Sequence, residues 1–214
     1  MNSTVLAKLV SIQVGRPQKI GQGETAWTTA FFKQPVDGSV VVSNTGLEGD
    51  GQADTKHHGG LEKAVLAYST DHESFWWSEL SAKVGPGGFG ENLSVAGVDE
   101  HSTCIGDQWS IGEVVLEVSQ PRQPCWKLGR RWERKDLPKL VVQNGRSGWY
   151  FRVIQTGTIQ AGAAITLRSR PQPEWTIIRA NKVFYGDNAN DKKSLANVPT
   201  LSEAWRTDLQ AKTK

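Results

Sequence analysis

The chain has 214 residues, of which 37% are hydrophobic, and this length suffices for one sizeable core or for one domain with a small appendage. Its formal net charge of +3 is too small to indicate binding of a polyanion. The N-terminus lacks a basic start with an apolar run behind it, and no stretch approaches the roughly 18 consecutive apolar residues of a membrane span. With only Cys104 and Cys125 as cysteines, we expect reduced thiols, a cytoplasmic location and no membrane partner.

The first half of the chain consists of short strands separated by turns, which favours a mainly β protein, a compact barrel or sandwich, over a doubly wound sheet. Residues 5–14 predict a first strand, and 28–33 and 39–42 flank a turn rich in proline, aspartate and glycine that predicts a hairpin. A polar, glycine-punctuated loop at 46–60 follows, and long loops of this kind often carry function. Strand character returns at 63–68.

Thr70 and Glu73 have the spacing of a capping box and predict a helix that ends near residue 82. A second helix is predicted at 137–143. Further strands are predicted at 92–95, 108–111, 114–118, 149–154 and 164–167.

The composition changes near Arg170, where β-forming residues give way to three short helical segments at 175–185, 191–197 and 201–210. We therefore expect a β domain over 1–170 and a small three-helix extension over 171–214.

Cys125 lies in a segment, 119–128, that follows a β-branched strand. Pro121 and Pro124 are expected to prevent both ladder pairing and helix formation, which would leave the thiol on a stiff segment facing a cleft. The local residues also fit a buried and inert cysteine, and they leave both interpretations open. The cations best placed to favour a thiolate or to hold an anion beside it are Lys33, Arg122, Lys127, Arg130 and Arg131.

Two adjacent histidines precede two glycines in the sequence His57-His58-Gly59-Gly60. Their ring and backbone N–H groups could donate to a phosphate. A structural zinc site is disfavoured, because adjacent histidines in a strand point to opposite faces and no Cys-x-x-Cys or His-x-x-x-His motif accompanies them. A polar turn without a ligand is the alternative.

A literal match to a dinucleotide fingerprint at 85–90 follows a helix and leads into a strand, the reverse of the order that such a site requires. The glycines instead allow the backbone to approach a ligand, and Glu91 and Asn92 add a carboxylate and an amide at the end of the segment. Asp50 belongs to an acidic group at 48–62 that could supply a general acid or base or could merely solvate a loop.

Taken in order along the chain, five motifs resemble the MOSC domain family, and within it the YiiM-like branch that is associated with resistance to hydroxylaminopurine. The matching residues are 46–50 with Gln52, Ala53 and Asp54, then His58-Gly59-Gly60, then 88–93, then Gly106-Asp107 and finally 120–128. The similarity covers roughly 5–167, and the helical tail resembles the C-terminal extension of the same branch. Ala163 departs from the family pattern, which often has an acidic residue there.

The resemblance implies a MOSC-type β-barrel with a few helices that binds molybdenum cofactor, with Cys125 as the protein ligand to the metal. A soft thiolate suits such a centre. The phosphate of such a cofactor needs basic groups and backbone N–H donors, and we expect these from Lys33, Arg122, Lys127 and the turn His58-Gly59-Gly60. Asn92 is expected to hydrogen-bond the pterin, and Glu91 or Asp50 is expected to supply a proton.

The activity implied is a molybdenum-cofactor-dependent reduction of N-hydroxylated compounds such as base analogues, with electrons from a separate flavin or iron–sulfur protein. One alternative is a non-catalytic carrier of the cofactor or of sulfur. Another is a nucleotide or nucleic-acid binding module, which the small net charge disfavours, so that no stable nucleic-acid partner is expected. The helical extension is expected either to pack on the barrel or to contact a reductase or a second copy in a homodimer.

Overall fold

A closed β-barrel forms the centre of the protein in a computed structural model that describes residues 5–54 and 58–213. The described residues form thirteen strands, β1 (Val5–Val14), β2 (Gln18–Ile20), β3 (Trp27–Thr29), β4 (Gln34–Pro35), β5 (Ser39–Ser43), β6 (Gly46–Leu47), β7 (Val65–Ser69), β8 (Leu93–Ala96), β9 (Gln108–Ile111), β10 (Val114–Pro121), β11 (Trp149–Gln155), β12 (Gly157–Gln160) and β13 (Ala164–Ser169). They also form six α-helices, α1 (Glu73–Leu80), α2 (Trp126–Arg131), α3 (Leu137–Asn144), α4 (Ile177–Tyr185), α5 (Ala189–Ala196) and α6 (Glu203–Ala211). Within these ranges, none of the helices has the length and apolar character needed to cross a membrane.

Seven strands close the barrel in the order β13, β9, β10, β11, β7, β8 and β1, and β1 then pairs with β13. Neighbouring strands are antiparallel except β7 and β8, which run parallel and are joined through α1. A parallel pair requires such a crossover connection, whereas antiparallel neighbours can follow each other through short turns. The mainly β, barrel-type fold predicted from the sequence is therefore confirmed.

Large apolar side chains fill the barrel and continue into the C-terminal helices. Trp109 packs edge-on against Trp149 and Phe151, with ring centroids 5.7 and 5.1 Å apart. Ile177 of α4 and Trp205 of α6 belong to the same buried cluster and are fully buried. Because each large side chain taken out of water contributes about 1.5–3 kcal/mol, α4 to α6 are held on the barrel by shared core packing. The division of the chain into domains at residue 170 stays a prediction.

A second apolar cluster lies outside the barrel and supports the loop that precedes β8. Phe89 of this loop stacks on Tyr68 with ring centroids 4.3 Å apart, and Trp76 of α1 donates from Nε1 to the Tyr68 hydroxyl over 2.6 Å. Leu128 of α2 and Val141 of α3 are buried in the same cluster. The cluster thereby ties the Phe89 loop to the segment that carries Cys125.

Two local predictions are wrong. The predicted hairpin does not form, because β3 pairs with β2, β4 pairs with β1, and β5 pairs with β6 and β12. The capping box predicted at Thr70 and Glu73 is also absent: Thr70 donates to the Val95 carbonyl, and the neighbouring Ser69 is the cap, accepting from the Asp71 N–H. Local residues alone do not show which strands pair with each other, and they do not show which of two adjacent residues caps a helix.

Candidate active site

A cavity of about 620 Å³, including its open mouth, lies where β10 ends and β8 begins. Its wall is built by loops that are distant in sequence, namely those after β3, after β6, before β7, before β8 and after β10. Of the residues predicted to bind or react, the cavity brings together Lys33, Asp50, His58, Gly59, Asn92, Arg122, Cys125 and Lys127. The predicted Gly60 and Glu91 are not among the residues that line it.

Cys125 enters the cavity on a shorter irregular segment than predicted. The β10 ladder continues through Pro121, which pairs with Trp149, and α2 begins at Trp126, directly after the cysteine. The proline is tolerated because β9 pairs with β10 only as far as Glu117, so that Pro121 has a partner strand on one side only. The Cys125 thiol is half-buried and lines the cavity, whereas Cys104 is buried elsewhere, with its Sγ 3.5 Å from the Pro173 carbonyl.

Arg122 carries a buried positive charge that the described part of the protein does not neutralise. The residue is 4% exposed, and its Nη2 donates to the Phe89 carbonyl over 3.2 Å. Its Nη1 has no hydrogen-bond partner among the described residues, and no carboxylate of those residues lies within ion-pair distance of it. Buried donors are nearly always satisfied in native proteins, and a buried guanidinium favours an anion. A ligand with a negative group in this cavity would satisfy Arg122.

Lys33 and Asp50 form an ion pair in the cavity wall, and their side chains are 7% and 4% exposed. Asp50 also accepts from the Gly15 N–H over 2.8 Å and from Asn92 Nδ2 over 2.9 Å. Burial lowers the pKa of Lys33 below its ordinary value, although the neighbouring Asp50 acts in the opposite direction. All the contacts of Asp50 are donated to it, so its carboxylate serves as an acceptor that fixes the loop after β6.

Asn92 is committed to the protein rather than to a ligand. Its Oδ1 accepts from the Leu66 N–H over 3.1 Å, and its Nδ2 donates to the Gln13 carbonyl over 3.2 Å as well as to Asp50. Both amide hydrogens are thereby used. Asn92 therefore joins β1, β7 and the Asp50 loop, and the contact with a cofactor that the sequence predicts for it stays a prediction.

Glu91 lies behind the cavity wall and is 2% exposed. Its carboxylate accepts from the N–H groups of Gly87 and Phe89, over 2.6 and 3.0 Å, and from Ser94 Oγ over 2.8 Å. Burial raises the pKa of Glu91, and these hydrogen bonds lower it to a smaller extent. The residue shapes the turn that directs the Phe89 carbonyl toward Arg122, and the structure does not bring it to the site where it was predicted to donate a proton.

The histidine and glycine motif is only partly in the cavity. His57 lies outside the described residues, and Gly60 is exposed at the start of a single 3-10 turn. Burial, followed by the charges of Arg122 and Lys127, lowers the pKa of His58 to about 4. The imidazole is therefore neutral at pH 7 and donates from one nitrogen only. Gly59 has a φ of +80°, a left-handed backbone conformation that favours glycine, and a Cβ there would lie 2.7 Å from Gln52 Oε1 and displace that side chain.

Tyr150 lines the cavity and was not predicted from the sequence. Burial raises the pKa of its phenol, with Arg122 lowering it and Cys125 raising it further. A detectable pattern did exist, because alternation along β11 places Tyr150 on the opposite face from the core residues Trp149 and Phe151. Recognising it required the pairing of Tyr150 with Gln120, which brings it close to the cysteine segment.

The charge of the cavity fits an anionic cofactor. Among the described residues, four cationic side chains and one carboxylate line it, namely Lys33, Lys63, Arg122 and Lys127 with Asp50. The unpartnered Arg122 suits a phosphate, and the Cys125 thiol suits a thiophilic metal.

The protein is a closed barrel with a cationic cavity beside a free thiol, and comparison with known proteins gives its family. The MOSC domain model matches residues 54–166, and the chain belongs to the MOSC family, whose members generally bind molybdenum cofactor. The resemblance seen in the sequence is therefore confirmed.

Similar proteins include YflK from Bacillus subtilis, described as uncharacterized, which is 38% identical over 206 residues, 95% of this chain and 93% of that protein. The crystal structure of YiiM from Geobacillus stearothermophilus superposes with a TM-score of 0.83 at 35% identity, and the match covers 97% of this chain and 100% of that one. A protein described as a reductase from Gibberella moniliformis is 38% identical over 186 residues, 85% of this chain but 33% of that longer protein.

Proposed function

We propose that the protein holds molybdenum cofactor in this cavity, with Cys125 as the protein ligand to the metal, and reduces N-hydroxylated compounds such as N-hydroxylated base analogues. The observation that carries the proposal is the half-buried Cys125 thiol in the same cavity as the buried, unpartnered Nη1 of Arg122. Family membership supports the cofactor, and the relative described as a reductase supports the reaction class.

Arg122 and Lys127 would hold the negatively charged phosphate of the cofactor, because a guanidinium can bind it with two parallel N–H donors and an ammonium adds a second charge. Lys33 and Asp50 would keep the opposite wall in place through their buried ion pair. When bound, the cofactor supplies the two-electron redox chemistry of molybdenum, while the protein supplies orientation and electrostatics.

Reduction of an N-hydroxylated amine consumes two electrons and two protons, and it breaks the N–O bond to release the amine and water. The electrons would come from a separate flavin or iron–sulfur protein. Tyr150 is the proton donor that we propose, since its phenol lines the cavity that also contains the Cys125 thiol. Asp50 and Glu91 instead accept hydrogen bonds from the protein.

The test uses protein produced in cells that make the cofactor, and it compares wild type with Cys125→Ser. We expect wild type to contain molybdenum and to reduce hydroxylaminopurine with an electron donor, whereas Cys125→Ser should lose both properties. Cys104→Ser is the matched control, because Cys104 does not line the cavity, and it should retain both.

Two results would contradict the proposal. One is wild-type protein without molybdenum together with a Cys125→Ser variant that detoxifies hydroxylaminopurine as well as wild type. The other is protein that contains molybdenum, transfers it to an apo-enzyme and shows no turnover with an electron donor, which would indicate a carrier.

A further inference from the structure

A second cavity of about 1250 Å³, including its open side, meets the first one at the cysteine. The two cavities share five lining residues, namely His58, Lys63, Cys125, Lys127 and Tyr150. The thiol and the Tyr150 side chain therefore stand at the junction of two spaces.

The two spaces differ in charge. Among the described residues, the first cavity is lined by four cationic side chains and one carboxylate, whereas the second is lined by two of each, Lys63 and Lys127 with Asp54 and Asp208. These residues favour an anionic ligand in the first cavity, and they let a neutral or basic ligand enter the second without a charge penalty. This difference in charge indicates that the two cavities beside Cys125 bind different ligands.

The outer wall of the second cavity combines an aromatic ring with a carboxylate. Trp126 is 55% exposed, and its indole lies 5.4 Å from the Trp27 ring and 5.6 Å from the Arg130 guanidinium, which hold it in place. Asp208 comes from α6 and is exposed. Gln123 also lines the cavity. Part of the site is therefore built by the C-terminal helical extension.

We propose that this second cavity is the substrate cleft, and that Trp126 and Asp208 recognise a flat aromatic or heteroaromatic ring bearing an N-hydroxylated amine or amidine. The inference rests on the proposed reductase function. An exposed indole offers a stacking face to any flat ring, a carboxylate accepts the N–H groups of the amine or amidine, and a glutamine amide can pair with the edge of a base. The substrate would reach the Cys125 junction from the side opposite to the cofactor.

The experiment uses the cofactor-loaded protein with benzamidoxime, a flat N-hydroxylated amidine, as substrate and benzamidine, its reduced product, as binding probe. Trp126→Ala should raise the KM for benzamidoxime and the Kd for benzamidine about tenfold each, which is the usual effect of losing one stacking partner. The kcat and the molybdenum content should stay unchanged. Trp126→Phe keeps a stacking face and should restore most of the affinity.

Asp208→Asn should raise the KM for benzamidoxime and the Kd for benzamidine several-fold. Because Asp208 lies in α6, this variant tests the cleft without changing the segment that carries Cys125. Glu203→Gln removes the same charge from the same helix at an exposed position that does not line the cavity, and it should change neither constant. Calorimetry gives the benzamidine Kd independently of turnover.

The possible failures can be told apart. If wild type turns over benzamidoxime but neither Trp126→Ala nor Asp208→Asn changes KM or Kd, the cleft assignment is wrong and the reductase stands. If wild type contains molybdenum but shows no turnover, the reductase is wrong, while weaker benzamidine binding in both variants would still support the cleft. Unaltered benzamidine binding in both variants would overturn the cleft in that case too.

Discussion

Asp50→Asn should destabilise the protein strongly, because it removes the negative partner from a buried ion pair. Lys33 would remain at 7% exposure without its carboxylate counter-charge. The new amide would also oppose Asn92 Nδ2, which donates to Asp50 Oδ2 over 2.9 Å. Breaking one side of a buried pair costs about 3–5 kcal/mol. For a chain of 214 residues, this corresponds to a Tm lower by roughly 10 °C.

The assay is urea unfolding of cofactor-free protein at pH 7, so that ligand binding does not add to stability. The midpoint should fall while the denaturant slope m stays constant. The double variant Lys33→Met/Asp50→Asn should be more stable than Asp50→Asn, since it removes the unpaired charge. Asp136→Asn breaks the exposed pair with Arg134 and should leave the midpoint unchanged. A loss below about 1 kcal/mol for Asp50→Asn would refute the reasoning, because that is the scale of a surface pair.

Three further outcomes are expected. Arg122→Met should lower molybdenum content at least tenfold, yet it should reduce the urea stability of cofactor-free protein by less than about 1.5 kcal/mol, since it removes a buried charge that has only one hydrogen bond. Tyr150→Phe should lower kcat about 100-fold at unchanged KM and molybdenum content, and an unchanged kcat would exclude Tyr150 as the proton donor. The pKa of His58 is about 4 when folded and 6.5 ordinarily, so the unfolded state binds more protons between these values and stability should fall as pH falls from 6.5 to 4. The variant His58→Gln should therefore lose less stability than wild type when the pH is lowered from 6.5 to 4. The same pH dependence of the urea midpoint in both proteins would contradict this prediction.

Elements with a strong local pattern could be predicted closely from the sequence. The alternation at 5–14 became β1, the β-branched run at 114–118 became most of β10, and the apolar spacing at 201–210 became α6. These patterns are reliable because side-chain period and β-branching act within a few residues. The hairpin predicted from residues 28–33 and 39–42 was wrong, because strand pairing depends on residues that are distant in sequence. The observed partners of β3, β4 and β5 are β2, β1 and β12.

The membership of the site was easier to predict than the role of each member. Ordered motifs were sufficient to expect Cys125, Arg122 and Asp50 in one cavity, and the structure places them there. Glu91 has the right chemistry for a proton donor, but its carboxylate is turned toward the backbone of its own turn. Tyr150 has the right position, and alternation along β11 turns it away from the core, but only its pairing with Gln120 brings it close to the cysteine segment.

Local sequence was enough to establish the mainly β class and the three C-terminal helices, because strand and helix patterns depend on neighbouring residues. The ordered motifs added the family, and the barrel followed from that resemblance. Only the tertiary structure decided what each polar side chain contacts, since those partners are remote along the chain. Asp50 meets Gly15 and Asn92, 35 and 42 residues away, and Asp208 of α6 lines the same cavity as Cys125. Chain packing therefore turned Asp50 from a candidate acid into an anchor for Lys33 and made the C-terminal helix a wall of the second cavity.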